Sequence, residues 1–187
     1  MRTLLAFALL TVSAQAAEIP LKSIYSTTPQ EGMIPASHSM KGGKYVATFG
    51  RSLGQILAAT KSGASNAFLV DATTIDDAMT ASRSILLGSR AADTPPEAQT
   101  RTGSYWLVAY LGTAGSHPTR WAVESVKAEG NRVRVSYQIA KPQPATMDAR
   151  PYYLWIPLGT LDDGAYRLEL FDGEDVTLMR RVEVKAD

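Results

Sequence analysis

A candidate serine nucleophile lies in Gly50-Arg51-Ser52-Leu53-Gly54, which matches the pattern Gly-x-Ser-x-Gly. In hydrolases this pattern forms a sharp strand-to-helix turn that exposes the serine hydroxyl, and His117 would then act as the base. The structural alternative is that Ser52 caps a short helix, with Gln55 three residues later completing a capping box. The sequence has no HGGG-type oxyanion loop and reads as antiparallel β in its C-terminal half, which favours the cap.

A soft metal site is the second candidate, formed by Met33, His38 and Met40 in "MIPASHSM". Thioether and imidazole groups are suitable ligands for Cu(I). The segment has no tight ligand repeat, however, and the acidic residues near the C-terminus do not match the spacing of a calcium loop. We therefore expect no metal and no other cofactor, and keep copper binding as an alternative.

An aromatic pair is the third candidate, in the strand-like run Tyr152–Leu158. One face of this run carries Tyr152, Leu154, Ile156 and Leu158, and the other carries Pro151, Tyr153, Trp155 and Pro157. A strand in a sandwich needs only one apolar face, so the second face must have a cover or a function. Either residues 74–88 or 17–43 lie over it, or Tyr153 and Trp155 form an exposed platform that binds a protein or a glycan.

The N-terminus predicts export. Arg2 precedes the apolar run Leu4–Val12, which is too short to span a bilayer, and Ala14-Gln15-Ala16 fits the small-x-small cleavage pattern. Residues 1–16 are therefore interpreted as a signal peptide of a periplasmic or secreted protein. No later stretch is apolar enough for a transmembrane segment.

The charge balance and the absence of cysteine limit the classes of function and partner to consider. Loss of Arg2 leaves 18 basic residues against 18 acidic ones, so the mature chain is formally neutral and gives no argument for nucleic acid as a partner. The chain has no cysteine, which excludes disulfides, zinc–thiolate sites and a cysteine nucleophile. The remaining partners to consider are another envelope protein or a glycan.

Periodicity divides the mature chain into two regions. In residues 17–98, strands are predicted at 44–49 and 67–70 and a helix after Thr74, whose side chain and Asp77 form a capping box. From Tyr105 the period becomes two, as in Arg132–Ile139, where valines and Tyr137 alternate with Arg132, Arg134, Ser136 and Gln138.

The C-terminal pattern favours a sandwich. Six short strands in residues 104–187 predict a mainly β protein with a C-terminal antiparallel immunoglobulin-like β-sandwich and a smaller α/β N-terminal part. Tyr166, two residues after Asp162-Asp163-Gly164, is expected to form a tyrosine corner, with its hydroxyl bonded to backbone a few residues upstream.

The two ends of the mature chain carry a family resemblance. The opening "EIPLKSIYSTTP" and the closing "YYLWIPLGTLDDGAYRLEL" resemble a group of uncharacterised exported bacterial proteins, with an "IPL-x-x-I-aromatic" opening and an "IPLG-x-L-x-x-G-x-Y" closing segment. The segment "STTPQEGM" departs from that pattern, since it lacks the usual Met-Pro-Gly turn. A fainter similarity, in the order "YLG…SV…VRVSY…PY", is to the accessory-subunit domain of a bacterial surface protease complex. The resemblance implies export and a β-rich C-terminal region, and the fainter one implies a protein partner.

These features together favour a non-enzymatic binding or assembly protein of the bacterial envelope. The alternatives are a serine hydrolase using Ser52 and a Met/His copper-binding protein.

The first testable expectation is cleavage after Ala16, because the small side chains of Ala14 and Ala16 fit the signal-peptidase pattern. Intact-mass spectrometry of the protein from its native host should give a chain that begins at Ala17. A native protein that still carries Met1 would contradict export by this route.

Overall fold

The computed structural model describes residues 16–27, 31–36, 65–87, 102–115, 121–139 and 149–185. These residues form ten strands, one α-helix and a 3-10 turn at Leu21–Ser23. In chain order they are β1 (Ala17–Glu18), β2 (Tyr25–Ser26), β3 (Ile34–Pro35), β4 (Asn66–Asp71), α1 (Ile75–Leu87), β5 (Ser104–Gly115), β6 (Trp121–Glu129), β7 (Arg132–Ile139), β8 (Ala149–Thr160), β9 (Gly164–Asp172) and β10 (Asp175–Val184).

The strands form two five-stranded sheets that enclose an apolar core. The first sheet has the order β3-β2-β8-β5-β4, and the second has the order β1-β6-β7-β9-β10. Leu107 and Leu154 of the first sheet share one buried cluster with Val135 and Leu168 of the second. The prediction of a mainly β, sandwich-like protein is therefore confirmed. The four strands of the 17–98 region pair with strands of the C-terminal region or with each other within these same two sheets.

Strand β8 is buried on both of its faces. Tyr152, Leu154 and Ile156 lie in the core between the sheets, as the period-two pattern predicts. Tyr153 and Trp155 lie in a second buried cluster on the opposite face, together with Met79 of α1. The molecule is therefore layered as helix, first sheet and second sheet, and β8 is the central strand of the middle layer.

Helix α1 is stabilised at its N-terminus by a cap, and two indole groups connect the helix region to the first sheet. The backbone N–H of Asp77 donates to Thr74 Oγ1 over 3.2 Å, and Thr74 Oγ1 donates to Asp77 Oδ2 over 2.7 Å, so Thr74 caps the helix as predicted. The indole N–H of Trp155 donates to Ser82 Oγ over 3.3 Å, and that of Trp106 donates to the Ala72 carbonyl over 3.0 Å. Each buried indole thus has a polar partner on the helix or just before it.

Within the C-terminal region one strand pair differs from the expected antiparallel pattern, and the short β2–β3 pair of the N-terminal region is parallel as well. β7 and β9 are parallel neighbours, with Arg132 opposite Arg167 and Arg134 opposite Glu169. The reason is the path of the chain: β8 lies in the first sheet, so the chain leaves the second sheet after β7 and returns in the same direction as β9. This parallel pair brings side chains from two separate strands onto one face.

Tyr166 stands where the chain crosses between the sheets. It follows the 161–163 turn from β8 to β9 and is buried. Burial raises the pKa of its hydroxyl, and a hydrogen bond from the Asp162 backbone acts in the opposite direction. Asp162 is four residues upstream, which agrees with the expected tyrosine corner.

The buried position of Trp155 gives a stability prediction. We expect Trp155→Ala to lower the free energy of unfolding by about 3–5 kcal/mol, because it opens a cavity under α1 and leaves Ser82 without its indole partner. Urea unfolding followed by circular dichroism measures the change.

The matched control is Met179→Ala on β10, whose side chain is 52% exposed. Its cost should stay below about 0.5 kcal/mol. Equal effects of the two substitutions would show that Trp155 is not held under the helix.

Candidate functional site

The outer face of the second sheet carries a group of basic side chains. On β7 the inward residues Val133 and Val135 are buried, so Arg132 and Arg134 must point outward. The parallel neighbour β9 adds Arg167 at the position opposite Arg132. We call Arg132, Arg134 and Arg167 the arginine cluster, and we call this side of the second sheet the basic face.

A single carboxylate lies beneath the arginine cluster. The side chain of Glu169 is only 3% exposed, and it forms ion pairs with Arg132 Nε at 3.5 Å, Arg134 Nε at 3.5 Å and Arg167 Nε at 3.6 Å. Its Oε2 atom has the Arg134 ion pair but no hydrogen bond among the described residues. Three guanidinium groups thus share one negative charge, so the arginine cluster together with Glu169 (three positive charges and one negative charge) has a net charge of about +2.

The three guanidinium groups remain accessible above this carboxylate. Their side chains are 46–50% exposed. Arg134 also lies over the ring of Phe171, with its guanidinium carbon 4.2 Å from the ring centroid. Since Nε makes the ion pair in each case, the terminal nitrogens of the guanidinium groups stay available for an anionic partner.

Two shallow depressions flank the arginine cluster. One, of about 160 Å³, is lined by Lys127, Arg132, Arg134, Ser125, Ser136 and Glu129. The other, of about 810 Å³, includes Arg132, Arg167, Arg181, Tyr166 and Met179 in its lining. The depressions share Arg132 and Glu129, so they form one broad surface.

Acidic residues border the basic face. Glu18 lies opposite Lys127 in the β1–β6 pair, and Glu129 lies opposite Arg132 in the β6–β7 pair. At the other side, Glu183 pairs with Arg181 over 3.4 Å. The excess positive charge is therefore central, and the rim is mixed.

The exposed aromatic platform predicted for Tyr153 and Trp155 is wrong. Trp155 is 0% exposed and Tyr153 is 1% exposed, because α1 packs over them, as the alternative interpretation held. The hydroxyl of Tyr153 has no hydrogen-bond partner among the described residues. Its pKa is strongly raised, mainly by burial and to a smaller extent by the nearby Tyr110. Because both side chains are buried in one cluster with Met79 of α1, Tyr153 and Trp155 are part of the scaffold.

The other candidate residues divide into two groups. Ser52, His117, His38 and Met40 lie outside the described residues, so the hydrolase and copper alternatives stay predictions. Met33 is described, and its side chain packs into the core between the sheets. Within the described ranges, no group of three or more His, Asp or Glu side chains is placed to hold a metal ion.

The sequence pattern predicts the outward position of two of the three residues in the arginine cluster. The alternation in β7 places Arg132 and Arg134 outside, but Arg167 and Glu169 belong to a strand that follows β8 in the chain. Their meeting depends on the parallel β7–β9 pair, for which the sequence gives no local signal. The sequence hint is the alternation in β9, where Arg167 and Glu169 alternate with Tyr166, Leu168 and Leu170 and so share one face of their own strand.

Comparison of the chain with protein-family models, with curated proteins and with solved structures gave no significant match. Among the described residues, no helix has the length and apolar character needed to cross a membrane. The fold and the basic face therefore carry the functional argument.

The shared carboxylate gives the next prediction. Glu169→Gln should lower the free energy of unfolding by about 1–3 kcal/mol, because three neighbouring cations lose their common counter-ion. Glu183→Gln is the matched control, since its carboxylate is 59% exposed and makes one surface pair, worth less than about 1 kcal/mol. If the two variants unfold at the same urea concentration, Glu169 does not organise the cluster.

Proposed function

We propose that this protein is a non-enzymatic binding or assembly protein of the bacterial envelope, and that it binds its partner through the basic face. The N-terminal apolar run with Ala14-Gln15-Ala16 supports export. The observation that carries the binding proposal is the arginine cluster, where three exposed guanidinium groups share one buried carboxylate.

The layering of the molecule supports this choice of surface. On the outer side of the first sheet, Val108 of β5 and Tyr153 and Trp155 of β8 are buried in one cluster with Met79 of α1, so these side chains are not available to a partner. The outer side of the second sheet has half-exposed arginines at its centre and the exposed Met179 beside them. Arginine and methionine are both enriched in protein–protein interfaces. The chemistry of this face therefore favours a protein partner.

We also propose that the two-sheet sandwich is immunoglobulin-like. The two packed sheets and the Tyr166 corner support it, and the parallel β7–β9 pair is a local departure from an antiparallel arrangement. Sandwich domains of this class are common in cell-surface proteins that bind other proteins.

The test is quantitative capture of partners from the envelope extract of the native host. We expect the wild-type protein to retain a partner that Arg132→Gln/Arg134→Gln loses by roughly tenfold or more, because buried interfacial arginines are binding hot spots. Lys22→Gln/Lys185→Gln removes the same charge at exposed positions that line neither depression, and it should retain the partner.

Urea unfolding of both double variants controls for folding. A partner that is retained equally by both folded variants would contradict binding through the basic face.

A further inference from the structure

We propose that the basic face binds an acidic segment of a partner protein in extended conformation, with alternate carboxylates held by the arginine cluster. This inference rests on the proposed function, since it takes the basic face as the binding surface. It adds the chemistry and the conformation of the partner.

The spacing of the arginines argues for an extended segment. Arg132 and Arg134 are two residues apart on β7 and point to the same side, which separates their positions by about 6.7 Å. An extended peptide repeats its side chains on one side at this same distance. Carboxylates at alternate positions of such a peptide would therefore meet the two arginines in register.

The neighbouring strand β9 adds a third arginine beside the two on β7. Arg167 lies beside Arg132 on β9, about 4.8 Å away across the sheet. One carboxylate above this pair can accept hydrogen bonds from both guanidinium groups. Arginine suits this role because its planar group presents parallel N–H donors to a carboxylate.

The three guanidinium groups are gathered around one carboxylate before any partner binds. Each Nε lies 3.5–3.6 Å from the carboxylate of Glu169, and the three arginines make no other ion pair among the described residues. Arg134 is held further by the ring of Phe171. Such preorganisation lowers the conformational entropy that ordering these long side chains would otherwise cost on binding.

Two features favour a polypeptide over an anionic glycan. Val176 and Met179 on β10 are 51% and 52% exposed, and they offer apolar contacts beside the arginines. The guanidinium group of Arg134 lies over one face of the Phe171 ring, 4.2 Å from its centroid, and so occupies a face on which a sugar could stack. The surface therefore combines charge with aliphatic contacts, as protein interfaces do.

The acidic residues around the basic face favour a partner segment in which acidic and neutral residues alternate. Glu18, Glu129 and Glu183 border the face, and they would repel a chain that carries a negative charge at every unit. A segment with alternate acidic and neutral residues can place its carboxylates over the arginine cluster and its neutral residues elsewhere. Charges of this kind decide the register of binding more than its strength.

The experiment titrates the full-length protein with three synthetic probes and follows the Nε–Hε signals of its arginines by NMR. The first probe is an acetylated octapeptide of alternating glutamate and threonine. The second is an acetylated decapeptide of threonine with the same four glutamates at every third position, so that neighbouring carboxylates point to opposite sides of an extended chain. The third is an oligogalacturonate with the same number of carboxylates.

The alternating peptide should bind roughly tenfold more tightly than the third-position peptide or the oligogalacturonate. Its affinity should fall by roughly tenfold or more in Arg132→Gln/Arg134→Gln and stay unchanged in Lys22→Gln/Lys185→Gln. Raising the NaCl concentration from about 0.05 M to about 0.5 M should weaken it, because charge attraction is screened.

Three results would overturn the inference. Equal affinities for the two peptides would contradict the extended register, and tighter binding of the oligogalacturonate would assign the surface to a glycan. In both of those cases binding that still depends on Arg132 and Arg134 leaves the basic face as the binding surface. If no probe shifts the arginine signals and capture is equal in both double variants, the inference and the proposed function fail together.

Discussion

The structure depends on one constraint, which is that β8 is apolar on both of its faces. A strand of this kind has to lie in the middle of a layered molecule, because either face would otherwise expose large aromatic or aliphatic side chains. The second sheet covers Leu154 and Ile156, and α1 covers Tyr153 and Trp155. The order of helix, first sheet and second sheet follows from this double burial.

The same constraint decides which surface is available to a partner. Because α1 and the second sheet cover the two faces of the first sheet, the exposed sheet surface is the outer side of the second sheet. The detour of the chain through β8 also makes β7 and β9 parallel neighbours, and this pairing assembles the arginine cluster over Glu169. The scaffold and the candidate site are therefore consequences of one chain path.

The sequence predicts the elements better than their assembly. Alternation identifies β7, and Thr74 with Asp77 identifies the start of α1, because both signals are local. The two apolar faces of β8 are also visible, but the pattern does not say whether a helix or a partner covers the second one. The arginine cluster was not predictable, since it depends on a pairing between strands separated by β8.

The most direct test of the central claim is hydroxyl-radical footprinting of the protein, free and bound to its captured partner. Binding through the basic face should protect Met179 and Phe171 from oxidation, since both lie on the outer side of the second sheet beside the arginine cluster. Trp155, which is 0% exposed, should be oxidised slowly in both states and serves as an internal reference. Unchanged oxidation of Met179 and Phe171 in the complex, with protection elsewhere, would contradict the account.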